Sequence, residues 1–181
     1  MRIIQEPDGH AFENVQSVWS IYENSFPAHE RRTWADYARL CANEPRFVPS
    51  ILCTQGHKVG LLWYWQFAEF VYLEHFALAK EVRNQGMGGI FLDIFLKRHT
   101  NVILEVEPPE TSITCRRIGF YQRHGMVLQP WVYTHPGYGQ KETPHLLQLM
   151  TWPAWSEAQC QAFLTLMFQD ILQKPHLIPQ R

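Results

Sequence analysis

Between residues 71 and 98 the periodicity of the chain changes abruptly. Val71 to Ala79 is a β-branched and aromatic run that reads as a strand. Beyond it, Met87, Ile90, Phe91, Ile94 and Phe95 fall at i, i+3, i+4, i+7 and i+8. That spacing predicts a helix, which closes with Lys97 and Arg98 against the negative end of its dipole. The joint between strand and helix is Arg83-Asn84-Gln85-Gly86-Met87-Gly88-Gly89. Val102 to Val106, halted by Pro108-Pro109, predicts a short buried strand. Thr111 or Ser112 then caps a helix through His124, with Gly125 as its C′ residue.

The flanking segments read differently. Met1 to Glu6 predicts a first strand. Phe12, Val15, Val18, Trp19, Tyr22 and Phe26 recur at helical spacing until Pro27. Thr33 caps a second helix through about Asn43, with Trp34, Tyr37, Ala38 and Cys41 on one face. Phe47–Thr54 and Lys58–Phe70 predict two strands joined by a hairpin turn at Gln55-Gly56-His57. Met126–Tyr133 and His145–Trp152 are the last two strands, with Thr134 to Pro144 a loop between them. Ser156 starts a final helix through about Leu172, with Phe163, Leu166, Met167 and Ile171 on one stripe. A strand-helix-strand-helix segment thus sits inside a mostly antiparallel arrangement. The fold class is α/β (α+β), a mixed sheet with helices on both faces, in one domain over residues 1–181.

Composition narrows the function classes. A formal net charge of -1 offers no global field for nucleic acid or an anionic membrane, so neither is an expected partner. The longest apolar run, around Ile90 to Leu96, is too short to span a bilayer. Met1 to Pro7 lacks the regions of a signal peptide, and Cys41, Cys53, Cys115 and Cys160 show no C-x-x-C spacing. Free thiols in the cytoplasm are therefore expected. The histidines form no i, i+4 pair and no H-E-x-x-H, so no metal site is expected.

The Gly-rich joint carries the chemistry. A helix N-terminus presents unpaired N–H groups and a positive dipole end, and glycines let a phosphate approach the backbone. Successive N–H groups from Gln85 to Gly89 can wrap a pyrophosphate; the same residues also suit a tight turn without a ligand. A P-loop is excluded, because no Lys-Ser or Lys-Thr follows, and a dinucleotide fingerprint is excluded by Phe91.

Arg83-x-x-Gly86-x-Gly88 matches the Q/R-x-x-G-x-G/A signature, and the chain resembles the GNAT N-acetyltransferase superfamily. Tyr72 to Leu78 looks like that family's central strand. Gly119-Phe120-Tyr121-Gln122-Arg123-His124-Gly125-Met126 resembles its later F-Y-x-x-x-G-F segment, with Met126 in place of the usual Phe. The likeness is specific over residues 70 to 128. The resemblance implies acetyl-CoA as cosubstrate, no metal, and strands 71–79 and 102–107 as a splayed parallel pair. It assigns the cofactor contacts to Phe76, Ala77, Leu78, Arg83, Asn84, Gln85, Gly86, Met87, Gly88 and Gly89. The N–H of Leu78 would face the thioester oxygen. Thr114 stands where the family often has Asn, and Arg117, with Arg116, would meet the adenosine 3′-phosphate. Tyr121 would serve the departing thiolate. Glu74 would accept the amine's proton, with Glu105 its rival and Glu107 a weaker candidate. By strand alternation Tyr72, Glu74 and Phe76 share one face.

The acceptor, a small-molecule amine by this reading, has less to mark it. Trp63 to Phe67, the loop Trp131 to Tyr138, and Phe26 to Arg32 are candidate walls, with Glu30 a candidate to hold an ammonium. A catalytically idle acyl-CoA sensor is the alternative function. A second apolar row on the last helix, Leu164, Phe168 and Leu172, suggests a homodimer.

Overall fold

The computed structural model describes residues 2–5, 15–138 and 143–173. In chain order the elements are β1 (Arg2–Gln5), α1 (Trp19–Ser25), α2 (Trp34–Asn43), β2 (Phe47–Thr54), β3 (His57–Gln66), β4 (Val71–Leu78), α3 (Met87–Arg98), β5 (Val102–Val106), α4 (Ser112–Arg123), β6 (Val127–His135), β7 (His145–Trp152) and α5 (Glu157–Leu166). This is the order the sequence predicts. Short 3-10 turns at Ala28–Glu30 and Lys80–Val82 and a π-helical turn at Met167–Ile171 complete it. Phe12 and residues 139–142 of the predicted loop lie outside the described residues.

The strands form one seven-stranded sheet in the order β1-β2-β3-β4-β5-β7-β6. Only β4 and β5 run parallel. The β2–β3 hairpin turns on two residues, Gln55 (φ 49) and Gly56 (φ 81), both left-handed as a type I′ turn demands. His57 therefore already belongs to β3, paired with Thr54. β3 ends at Gln66, short of the predicted Phe70, because the Phe67 N–H bonds back to the Phe70 carbonyl and turns the chain into β4.

Two cores sit on opposite faces. On the first face, Tyr22 of α1, Tyr37 of α2 and Phe163 and Leu164 of α5 cover Trp63, Trp65, Tyr72 and Ile103. On the second, Phe91 and Phe95 of α3 and Ile118 and Tyr121 of α4 cover Leu62, Tyr64, Leu73 and Leu104. Each such side chain withdrawn from water contributes roughly 1.5–3 kcal/mol. The row expected to seek a second copy is covered by the chain itself. Leu164 and Phe168 are fully buried in the first core, and Leu172 packs against it. The apolar face that motivated a dimer is thus already used.

Candidate active site

The parallel pair opens a gap through the sheet. β4 and β5 pair only at Val71↔Val102, Tyr72↔Ile103 and Leu73↔Leu104. Beyond that point the strands continue unpaired to Leu78 and Val106. A cleft of about 850 Å³ occupies the gap. It reaches Arg83, Gly86, Gly88, Thr114 and Tyr121 on the side of α3 and α4, and Phe26, Glu30, Tyr138 and His145 on the other side.

The unpaired edge of β4 is polar. The Ala79 N–H bonds the Val59 carbonyl on β3, and Gly60 stands opposite Leu78. Antiparallel strands alternate the direction of their N–H groups, so those of Leu78 and Phe76 point away from β3, into the gap. The backbone groups of Ala77 turn toward β3 instead, which separates it from its two predicted companions.

The Gly-rich joint takes the predicted form of a helix N-terminus. Gly86 caps α3 at φ 75, and Asn84 is also left-handed at φ 61. The first N–H groups of α3 have no partners within the helix. The Ile90 N–H is the first to reach back, to the Gly86 carbonyl at 3.3 Å. A Cβ on Gly88 would lie 3.7 Å from the Phe120 ring and 3.8 Å from Leu78. A Cβ on Gly89 would lie 2.8 Å from the His124 ring, so a side chain there would force that ring to shift. Arg83, Asn84 and Gly89 also line the cleft, whereas Gln85 and Met87 do not. The Gln85 amide donates to the Glu81 carbonyl. Arg83 acts as a brace: Nε donates to the Leu78 carbonyl at 2.8 Å and Nη2 to Ser25 Oγ at 2.9 Å.

On α4, Thr114 and Tyr121 face the cleft. The Thr114 hydroxyl is engaged in the capping box of the helix, accepting from the Thr111 N–H and donating to the Thr111 carbonyl. Arg117 lines the cleft in an ion pair with Glu107 at 2.6 Å, while Arg116 is exposed outside the lining. Burial pushes the Tyr121 phenol up to about 12, against the pull of Arg117, so it stays protonated. Among the described residues its hydroxyl has no hydrogen-bond partner.

Glu74 departs from expectation. Register shifts between Trp63 and Tyr64, so that His75 faces Trp63, Leu73 faces Tyr64, and Glu74 is the extra residue of a β-bulge. The bulge interrupts alternation. Tyr72 and Ala77 stay with the first core, and Phe76 packs against the second. Phe76 therefore does not share a face with Tyr72 and Glu74. The Glu74 carboxylate is fully engaged: Oε1 accepts from Arg32 Nη2 at 2.8 Å and the Tyr138 hydroxyl at 2.6 Å, and Oε2 from Trp65 Nε1 at 2.9 Å. Burial alone would raise its pKa, but Arg32, His75 and Tyr138 together hold it below the ordinary carboxylate range. The Arg32 guanidinium also lies 4.4 Å from the Tyr138 ring centre. A carboxylate so held accepts no further proton near neutrality, which argues against its predicted role as base.

Glu105 stands across the gap, one residue past the last strand pair. Oε2 accepts from the Tyr72 hydroxyl, and Oε1 is buried without a hydrogen-bond partner among the described residues. Burial raises its pKa to about 8 against the Tyr72 bond, with Glu74 and Glu30 adding repulsion. Glu107 is exposed and paired with Arg117.

On the acceptor side, two of the three segments named from the sequence line the cleft and the aromatic run does not. Trp63, Tyr64 and Trp65 are core residues, buried to within 2% of full, and none lines the cleft. Its walls come from Phe26, Pro27, Glu30, His135, Tyr138 and His145. Arg32 and His135 fall within the segments named from the sequence, whereas His145 carries no local pattern that marks it. The fold gathers them from the turn after α1 and the two ends of the β6–β7 connection.

A sheet split at one parallel pair, with a glycine-rich helix N-terminus on one side of the split and a carboxylate-lined pocket on the other, is the arrangement to be compared with known folds. No family model matches the chain. A GNAT-family protein from Bacteroides thetaiotaomicron superposes with a TM-score of 0.86 and 26% identity, over 96% of this chain and 99% of that one. A phosphinothricin acetyltransferase from Sinorhizobium meliloti, solved with AcCoA, gives 0.56 and 17% identity over 84% and 89%. In sequence, the chain is 32% identical over 68 residues to YjbC of Bacillus subtilis (strain 168), whose acetyltransferase designation is provisional, as is that of the Bacteroides protein. That match spans 36% of this chain and 35% of YjbC. The fold is that of the GNAT superfamily, shared with the Bacteroides protein over almost the whole of both chains.

Proposed function

We propose that this chain transfers an acetyl group from acetyl-CoA to a primary amine, with both substrates bound at once. The observation that carries this reading is the placement of two groups on opposite sides of the gap, the Tyr121 hydroxyl and the Glu105 carboxyl with one oxygen left unbonded. Tyr121 belongs to the α3–α4 side and Glu105 faces the other, and neither is engaged as Glu74 is.

The residues fit acetyl-CoA. Glycines at 86 and 88 leave the α3 N–H groups accessible to a pyrophosphate. Phe76 and Leu78 offer backbone groups to the amides of the pantetheine arm. When bound, acetyl-CoA supplies the activated acyl carbon and a thiolate leaving group. The Leu78 N–H stabilises the carbonyl oxygen as it gains charge. The Tyr121 phenol donates a hydrogen bond to the sulfur and, at its raised pKa, keeps its own proton until the thiolate forms.

On the acceptor side, an ordinary amine arrives protonated at neutral pH. Glu30 borders that end of the cleft, and an ammonium bound there would favour the ionised form of Glu105. Glu105, with a pKa near the working range, takes the proton from the attacking nitrogen. Glu74, clamped by Arg32 and Tyr138, positions the bulge that opens the gap and is not asked to move a proton.

The test is thiol release from acetyl-CoA against a panel of small amines, with Glu105→Gln in parallel. Turnover of at least one amine, reduced about 10²–10⁴-fold in Glu105→Gln at unchanged acetyl-CoA affinity, is expected. Acetyl-CoA binding with no turnover of any amine would leave an idle sensor instead.

A further inference from the structure

We propose that His29, Glu30 and His145 form a binding site for Zn²⁺ or a chemically similar transition-metal dication on the acceptor wall of the cleft. One ligand atom from each lies within 4.8 Å of the others. His29 Nε2 already stands 3.7 Å from Glu30 Oε1. A tetrahedral zinc sphere, with bonds of about 2.0–2.1 Å, spans donor pairs of roughly 3.3–3.5 Å, so small side-chain rotations close the set. Two imidazoles and one carboxylate suit zinc and its neighbours rather than magnesium or calcium.

The surrounding hydrogen bonds orient these groups as ligands. His145 Nδ1 lies 3.0 Å from the Thr143 carbonyl, which can only accept. Nδ1 must therefore carry the proton, and the lone pair is left on Nε2. A histidine oriented through its other nitrogen in this way is the usual arrangement behind a metal-bound imidazole. The backbone of the other two ligands is pinned from outside the turn. The Tyr138 N–H donates to the His29 carbonyl at 2.9 Å, and His75 Nε2 donates to the Glu30 carbonyl at 3.0 Å. His135, whose ring lies 5.0 Å from that of His145, is excluded as a fourth ligand at Nδ1, because that nitrogen accepts from the Gly137 N–H. Glu30 and His145 both line the cleft, so the site borders the space assigned to the acceptor.

The site does not depend on the acyl-transfer reading, and binding can be measured without acetyl-CoA. Full-length protein, stripped by chelator, is titrated with ZnCl₂ by calorimetry. About one equivalent binding at micromolar concentration or tighter is expected. Loss of a group that merely orients a ligand costs about 10–100-fold in metal affinity, so His29→Ala, Glu30→Gln and His145→Ala are each expected to lose at least that much. Cys115→Ser, which removes an exposed thiol, is expected to bind as the parent does. The Co²⁺-loaded protein is expected to lack a thiolate charge-transfer band. No binding at millimolar ZnCl₂ overturns the site. So does undiminished binding in folded His145→Ala and Glu30→Gln, which would assign the ion to cysteine.

Discussion

Glu74 and Glu105 flank the point where β4 and β5 part, yet their surroundings drive their carboxyls in opposite directions. Arg32, His75 and Tyr138 outweigh burial at Glu74 and keep it ionised; at Glu105 burial dominates, with Glu74 and Glu30 adding repulsion and the Tyr72 bond opposing. Linkage turns this into a stability prediction. The pKa of Glu105 is raised in the folded state, from an ordinary 4.5 to about 8. Its favourable contribution is complete below the unfolded value and disappears as pH rises through about 8. Glu105→Gln cannot ionise, so it is expected to melt above the parent protein at pH 9, with the difference vanishing near pH 5, while turnover falls. Equal melting temperatures at pH 9 would show that Glu105 is not held in an environment hostile to its charge. Glu74 behaves inversely: its lowered pKa stabilises the fold above the ordinary carboxylate range, and that support fades as pH falls. Glu74→Gln leaves the Arg32 guanidinium, 12% exposed, without its counter-charge. Breaking a buried pair on one side costs about 3–5 kcal/mol, so urea unfolding at pH 7 is expected to shift by that amount. A shift below about 1 kcal/mol would mean that Arg32 finds water or another partner.

At the scale of the element, the N-terminus of α3 separates cofactor contact from packing. A methyl on Gly88 meets only ordinary contacts with Phe120 and Leu78, so Gly88→Ala is expected to fold. Gly88→Asp places bulk and negative charge against the proposed pyrophosphate and is expected to abolish acetyl-CoA binding in calorimetry. Gly89→Ala drives a methyl into the His124 ring, so its effect is expected in thermal stability. Retained acetyl-CoA affinity in Gly88→Asp would sink the assignment of this turn. The helix and its glycines were legible because periodicity and the missing Cβ are local facts. So were the caps, since Thr33, Thr111 and Ser156 each accept from a backbone N–H three residues on. The bulge at Glu74 was not legible. It depends on the register of β3 against β4, and period-2 reasoning assumes the register is regular. That one residue redirected the side chains around the predicted base. The aromatic run Trp63 to Trp65 misled for the reverse reason: aromatic alternation marks a strand without saying which layers will cover it.

For the molecule as a whole, the decisive element is the last one. α5 and the π-helical turn after it close the first core: Phe163 packs on Phe70 and Tyr72, and Tyr72 in turn bonds Glu105. Met167 and Phe168 are fully buried, with Tyr133 against both. Met167, Phe168 and Ile171 are all buried, and the π turn closes after them with the Leu172 N–H on the Met167 carbonyl. The sequence shows two adjacent apolar rows but not how wide a face the sheet can cover, so from sequence the second row suggests a partner. The two arrangements differ in how stability depends on concentration. A row buried within the chain contributes the same at any dilution, whereas a row buried between copies makes unfolding concentration-dependent. Phe168→Ala is expected to cost about 3–5 kcal/mol, the usual price of emptying a large aromatic site in a packed core. The loss should be the same when urea unfolding is repeated at high and at low protein concentration. A loss that shrinks on dilution would place Phe168 between two chains.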